Sequence, residues 1–132
     1  MTTSEETMTI REMCDKYEVT PRTLRFYEAK ELLAPIRQGQ KRLFTRRDRA
    51  RLTLILRGKR FGFSLEEIRQ LLDLYNPDDN RAQLERGGEM GRRHLEEMER
   101  QRAELDRAID ELKSELAEAD SRLQALKDGA AA

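Results

Sequence analysis

Ile10, Met13, Cys14 and Tyr17 recur at the spacing of one helical face, and Thr9 with Glu12 ahead of them has the form of a capping box, so a first helix is expected. Thr20 followed by Pro21 reads as an N-cap and a first-turn proline, which opens a second helix after a break of only about three residues. Two helices joined this tightly are the signature of a helix-turn-helix. After Pro35, the stretch Ile36 to Phe44 is short, basic and centred on Gln38-Gly39-Gln40, which predicts a β-hairpin projecting as a wing. Thr45 and Asp48 start a third helix whose Leu52, Ile55 and Leu56 face inward, and Gly62 ends it. Ser64 and Glu67 make the next capping box. Phe63 and Ile68 flank that box as a hydrophobic staple, and Leu65, Ile68, Leu71, Leu72 and Tyr75 form the buried stripe of a fourth helix. Asn76, Pro77, Asp78 and Asp79 then interrupt the chain.

Beyond the break the spacing alternates three and four through Leu95, Met98, Arg102, Leu105, Ile109, Leu112, Leu116, Ala119, Leu123 and Leu126. That is a heptad seam about 48 Å long at 1.5 Å per residue. Alone it would leave its leucines in water, so a partner helix is implied, most economically from a second copy of the chain. The expected interface residues are Leu95, Met98, Leu105, Ile109, Leu112, Leu116 and Leu123. Carried backward, the register places Gly88 and Gly91 on the seam with Gly87 beside them, each costing about 1 kcal/mol of helix stability relative to alanine. Two readings of that cost stand side by side. One is close packing or a flexible joint, and the other is room for a small-molecule effector between the dimer helix and the partner's DNA-binding domain. The fold class is thus mainly α: a winged helix-turn-helix of four helices plus a small β-hairpin wing over residues 9–76, then a long coiled-coil dimerisation helix over 77–127. Residues 1–8 and 128–132 are expected to be disordered ends.

Composition agrees with that division. The 132 residues, 15.5 kDa, suffice for one small domain and an appendage, and the excess of charged (39%) over hydrophobic (37%) residues suits long exposed helices. No apolar run approaches the roughly 20 residues needed to span a bilayer, and the first residues lack a basic, apolar leader. A cytoplasmic protein with no membrane partner is expected. Cys14, the one cysteine, has no internal disulfide partner, which suits a reducing compartment. The formal net charge is zero, yet residues 1–76 hold 16 Lys/Arg against 11 Asp/Glu, or +5, and residues 77–132 hold 10 against 15, or −5. Residues 16–60 alone carry 14 basic and 4 acidic groups, a local +10 able to bind a polyanion in a salt-dependent way.

On a helical wheel Arg22, Arg25, Phe26, Ala29 and Lys30 share one sector of the second helix, with Leu24, Glu28 and Glu31 opposite. Arginine forks in the first turns of such a helix match guanine edges in the major groove of double-stranded DNA, and Thr23 and Tyr27 would add phosphate contacts. A basic face that is merely solvated is the rival reading for this helix alone. The wing adds Arg37, Lys41 and Arg42, and the end of the third helix adds Lys59 and Arg60, and three basic elements converging on one side favour DNA. Arg25 is assigned to a base and Arg42 to phosphate.

Thr23-Leu24-Arg25-Phe26-Tyr27-Glu28, Arg42-Leu43-Phe44 and Phe61-Gly62-Phe63-Ser64-Leu65-Glu66-Glu67-Ile68 together resemble the MerR family of bacterial transcription regulators, a likeness that covers residues 9–75. The family commonly has Thr-[Leu/Ile]-Arg-Tyr-Tyr-Glu and, in the wing, Tyr-Arg-x-Tyr, so this chain departs at Phe26, Lys41 and Phe44. Rings are kept at Phe26 and Phe44 while hydroxyls are lost. The resemblance implies a homodimer joined by an antiparallel coiled coil. It also implies a palindromic operator in an overlong promoter spacer, distorted so that RNA polymerase engages both promoter elements. Family members that sense metals carry cysteines around the dimer helix, and those that sense drugs carry a further ligand domain; neither is expected here. A likeness to regulators of branched-chain and acyl-CoA catabolism points to a metabolite effector such as an acyl-CoA, although no residue identifies one.

Other classes lack residues to support them. There is no nucleophile and base pair, no phosphate loop and no His-Glu-x-x-His, so no catalytic residue is assigned and no cofactor is expected. Cys14 lies on an apolar stripe as a small buried thiol, and His94, one turn after Met90, is read as surface, so no metal site is assigned. A coiled-coil adaptor whose first domain binds protein would have no use for the local +10.

Overall fold

The computed structural model describes residues 6–76 and 78–131. Two strand residues lead into the first two helices: β1 (Met8–Thr9), α1 (Ile10–Tyr17) and α2 (Pro21–Ala29). The hairpin β2 (Ile36–Gln38) and β3 (Lys41–Phe44) follows, then α3 (Arg46–Arg60), α4 (Leu65–Asp73) and α5 (Arg81–Ala131). Every helix start read from the pattern in the first 76 residues carries its cap. Thr9, Thr20, Thr45 and Ser64 each accept a hydrogen bond from the backbone N–H three residues on, and Glu12, Asp48 and Glu67 return the bond to close three capping boxes.

The wing is a two-residue turn at Gly39-Gln40 rather than one centred on Gly39, and Gly39 takes the positive φ of +62° that such a turn needs. The hairpin gains a third strand that the hydrophobic pattern does not reveal. The sheet order is β1-β3-β2, with Met8 opposite Phe44 and Thr9 opposite Leu43. The expectation of disorder through residue 8 is therefore corrected: Met8 is paired, and the Glu6 carbonyl accepts from Arg49 Nη1 at 3.0 Å. A two-residue strand is too short to show alternation, so the pairing comes from β3's free edge rather than from its own sequence.

Met13, Leu24, Tyr27, Leu32, Leu33, Phe44, Leu52, Ile55, Ile68 and Leu72 form one core that joins α1, α2, the wing, α3 and α4. Asp48 is buried among them and serves two elements. Its Oδ1 accepts from Ala34 N–H at 2.9 Å, and its Oδ2 accepts from Thr45 N–H at 3.0 Å and the Thr45 hydroxyl at 3.1 Å. Gly58 of α3 packs against Ile68 of α4, and an added Cβ there would lie 2.8 Å from Ile68 Cγ1. Gly58→Ala gains about 1 kcal/mol of helix propensity but overpacks a fully formed contact at a larger cost, so a net loss of about 1 kcal/mol is expected. Urea unfolding checks it, and a variant as stable as the parent would place Ile68 in a softer contact.

The molecule divides into two compact units, Met1–Gly91 and Arg92–Ala132. The first includes the start of α5, held to α4 by Gln83 Nε2 donating to the Leu71 carbonyl at 2.7 Å and Arg86 donating to Gln70 Oε1 at 3.4 Å, with Met90 fully buried. The expected helix start at residue 77 is moved to Arg81. Asn76 and Asp79 side chains accept from the backbone N–H of Asp78 and Arg81, turning the chain before the helix begins; Pro77 lies outside the described residues. The other end is also corrected, since the helix runs to Ala131 where a disordered tail from residue 128 was expected. Alanines are the strongest helix formers, and they outweigh one glycine, Gly129. The helix passes unbroken through Gly87, Gly88 and Gly91; a Cβ on Gly87 would meet Leu71 at an ordinary 3.6 Å, and one on Gly91 would meet open space. In the second unit the seam side chains are exposed, from 41% for Ile109 to 71% for Leu126. Among the described residues no helix is long and apolar enough to cross a membrane.

Candidate nucleic-acid interface

Thr20 and Pro21 set where α2 begins, and the phase of its apolar residues sets which face is left outside. Leu24 and Tyr27 point into the core, leaving Arg22, Arg25, Phe26, Ala29 and Lys30 exposed. Arg22 and Arg25 make no ion pair or hydrogen bond among the described residues, so their guanidinium forks remain available to an external acceptor. The Lys30 ammonium sits 5.6 Å from the centre of the Phe26 ring, and this pairs the one large exposed apolar side chain of the face with a cation. Thr23 is half-buried, its hydroxyl 3.0 Å from that of Thr20. Tyr27 was expected on the DNA face and is instead a core residue, 1% exposed. Its ring is one helical turn from Leu24 and shares the inward sector, which the wheel of charged residues alone does not reveal.

The wing is drawn to α2 by Glu28, a residue expected to face away. Arg37 and Arg42 stand directly opposite each other on β2 and β3, a like-charge pair that costs stability in a sheet. Glu28 resolves it by accepting from Arg42 Nε at 2.6 Å and from Arg37 Nη1 at 3.3 Å. Arg42, read as a phosphate ligand, thus also tethers the wing through its Nε, and Arg37 is half exposed. Lys41 is exposed on the wing. Lys59 and Arg60 are exposed on the last turn of α3, while α2 and the wing are joined through Glu28.

The +10 over residues 16–60 is thus only partly available to a polyanion. Arg49 donates to the Glu6 and Phe44 carbonyls and Arg51 to the Leu32 carbonyl at 2.7 Å. Arg69, outside that stretch, donates to the Lys30 carbonyl at 2.6 Å and fixes the end of α2. These brackets carry no periodicity, and nothing in the sequence separates an arginine that ties a loop from one that faces a ligand. Cys14 is packed against the core; burial, then Asp15, pushes its thiol up from the ordinary value against the pull of Arg25. Both effects disfavour the thiolate. Among the described residues no cluster of three His, Cys, Asp or Glu is placed to hold a metal.

A tight helix-turn-helix whose second helix presents free arginines, braced by a basic wing, defines a winged helix-turn-helix DNA-binding protein. Two family models match, MerR HTH family regulatory protein over residues 8–75 and MerR, DNA binding over residues 49–115. The HTH-type transcriptional regulator ZntR of Escherichia coli (strain K12) is 37% identical over 99 residues, covering 73% of this chain and 69% of that protein. The HTH-type transcriptional regulator CueR of Salmonella typhi is 33% identical over 109 residues, covering 81% and 72%. Among solved structures, a MerR family transcriptional regulator from Bacillus cereus superposes with a TM-score of 0.64 at 30% identity, covering 80% of this chain and 79% of that one. HiNmlR, a MerR family regulator lacking the sensor domain and bound to promoter DNA, superposes with a TM-score of 0.58 at 28% identity, covering 80% of each chain. The chain belongs to the MerR family. It is a DNA-binding transcription regulator and not an enzyme.

Proposed function

We propose that this regulator acts as a homodimer, paired through the α5 seam, on a palindromic operator within a promoter, and that it distorts the spacer to control RNA polymerase. The observation that carries the dimer is the row of half-exposed leucines and isoleucine from Leu95 to Leu126, an apolar stripe that a single chain leaves in water. A two-fold pair of winged domains reads a two-fold operator, and the cost of twisting the spacer is offset by contacts made on both half-sites. In this reading α2 enters the major groove, Arg22 and Arg25 meet base edges, and Lys30, Arg37 and Lys41 meet phosphates.

Arg25→Ala should cost about 1–3 kcal/mol and relax specificity at one base pair, whereas Lys41→Ala should weaken all sequences alike and lower the salt slope by about 1. Footprinting the gene's own promoter and titrating single-base variants of the protected site measures both. Equal, sequence-independent losses in the two variants would refute the division between base and phosphate contacts.

A further inference from the structure

Between α3 and α4 of the first unit lies a cleft of about 490 Å³, within the range of small-molecule sites. Arg47, Arg51 and Leu54 follow one another at helical spacing along the side of α3 next to its buried stripe, and Arg46 stands at the helix start. Leu72, from the end of α4, and Tyr75, just beyond it, supply the facing apolar wall.

The charge of this cleft is one-sided. Among the described residues three guanidinium groups line it and no carboxylate does. Of the two acids that act on Arg51, Asp73 lies outside the lining, and Asp48 has both oxygens engaged by Ala34 and Thr45, as described above. Arg51 uses its Nε on the Leu32 carbonyl, and its two terminal amino groups carry no hydrogen bond among the described residues. Burial, and then the charge of Arg47, hold Arg51 below its ordinary value, with Asp73 and Asp48 pulling the other way and Arg69 adding to the depression. A protein that holds like charges together over an apolar wall stabilises itself by taking up an anion with an apolar body. Within one chain, a Cβ on Gly87 would meet a leucine at contact distance and one on Gly91 would meet open space.

We propose that this cleft binds a small organic acid, its carboxylate held by the forks of Arg46, Arg47 and Arg51 and its apolar tail laid on Leu54, Leu72 and Tyr75. A planar carboxylate suits bidentate pairing with arginine. The cleft also touches the two elements that position the rest of the domain, because α3 carries the wing's β3 at its start and α4 holds the end of α2 through Arg69. A ligand wedged between them would shift α2 relative to the wing. That regulatory consequence rests on the DNA-binding reading; the binding itself does not.

Isothermal titration of the full chain without DNA decides the matter, with octanoate as the probe, octanol as the same tail without charge, and inorganic phosphate as charge without the tail. Octanoate is expected to bind one per chain, at least tenfold tighter than either control. Arg47→Gln and Tyr75→Ser, both at exposed positions that leave the core intact, should each weaken octanoate at least fivefold. Phosphate binding as tightly as octanoate would make the cleft a plain anion patch, and octanol binding as tightly would make it an apolar one. Either result overturns the proposal, as does an octanoate affinity unchanged in Arg47→Gln or absent in the parent chain. Since DNA is not in the cell, failure here leaves the DNA-binding reading untouched.

Discussion

Asp48→Ala is expected to destabilise the first unit by about 3 kcal/mol, because charged hydrogen bonds to buried groups are worth roughly 1.5–3 kcal/mol and their loss strands the partners. The three groups left without an acceptor are Ala34 N–H, Thr45 N–H and the Thr45 hydroxyl. They lie on two segments, the loop after α2 and the cap of α3, so the substitution frees the loop that leads into the wing as well as the helix start. For a domain of this size about 3 kcal/mol lowers the melting temperature by more than about 10 °C. Asp48→Asn keeps one acceptor oxygen and should fall between the two. Thermal unfolding followed by circular dichroism checks this, and a shift below about 4 °C for Asp48→Ala would mean that water replaces the carboxylate freely and that the site is not the clasp described here.

Ile109→Asp should convert the proposed dimer to monomers of 15.5 kDa while leaving the melting of the first unit unchanged. Placing a charge on an apolar stretch of the seam costs its transfer from water on each of two helices. Ile109 is exposed in the isolated chain, so the substitution disturbs no contact within it. Sedimentation equilibrium reports the mass. Affinity for a palindromic site should fall at least 100-fold, because one winged domain then binds where two did, while affinity for an isolated half-site stays the same. A variant that remains dimeric would move the interface off this seam.

How far the sequence discloses this molecule depends on how local each signal is. Helix starts are local: Thr9, Thr20, Thr45 and Ser64 announce themselves through a hydroxyl and a partner three residues on, and the structure has a helix at each. The wing is also local, since Gly39 supplies a turn between two short runs. What the sequence conceals is decided by pairs far apart in the chain. Glu28 faces the wing because Arg37 and Arg42 are opposed there, a fact of strand register that no wheel of α2 contains. Tyr27 belongs to the core because α2 packs by its Leu24 side, and counting charges on the other side misassigns it. The third strand at Met8–Thr9 exists because β3 has a free edge. The basic charge is the least legible quantity, for Arg49 and Arg51 each donate to backbone carbonyls that only the folded chain brings near them.

The function proposed above rests on sequence-specific binding of DNA by the face of α2 and the wing. Its most direct measurement is a titration of the purified full chain against a duplex of its own promoter and a scrambled duplex, each across a range of salt concentrations. For both, log K should fall linearly with log salt, with a slope of roughly −0.9 per phosphate contact, and the promoter should be bound at least about 10³-fold more tightly. Equal affinity for the two duplexes, or no binding even at low salt, would contradict it.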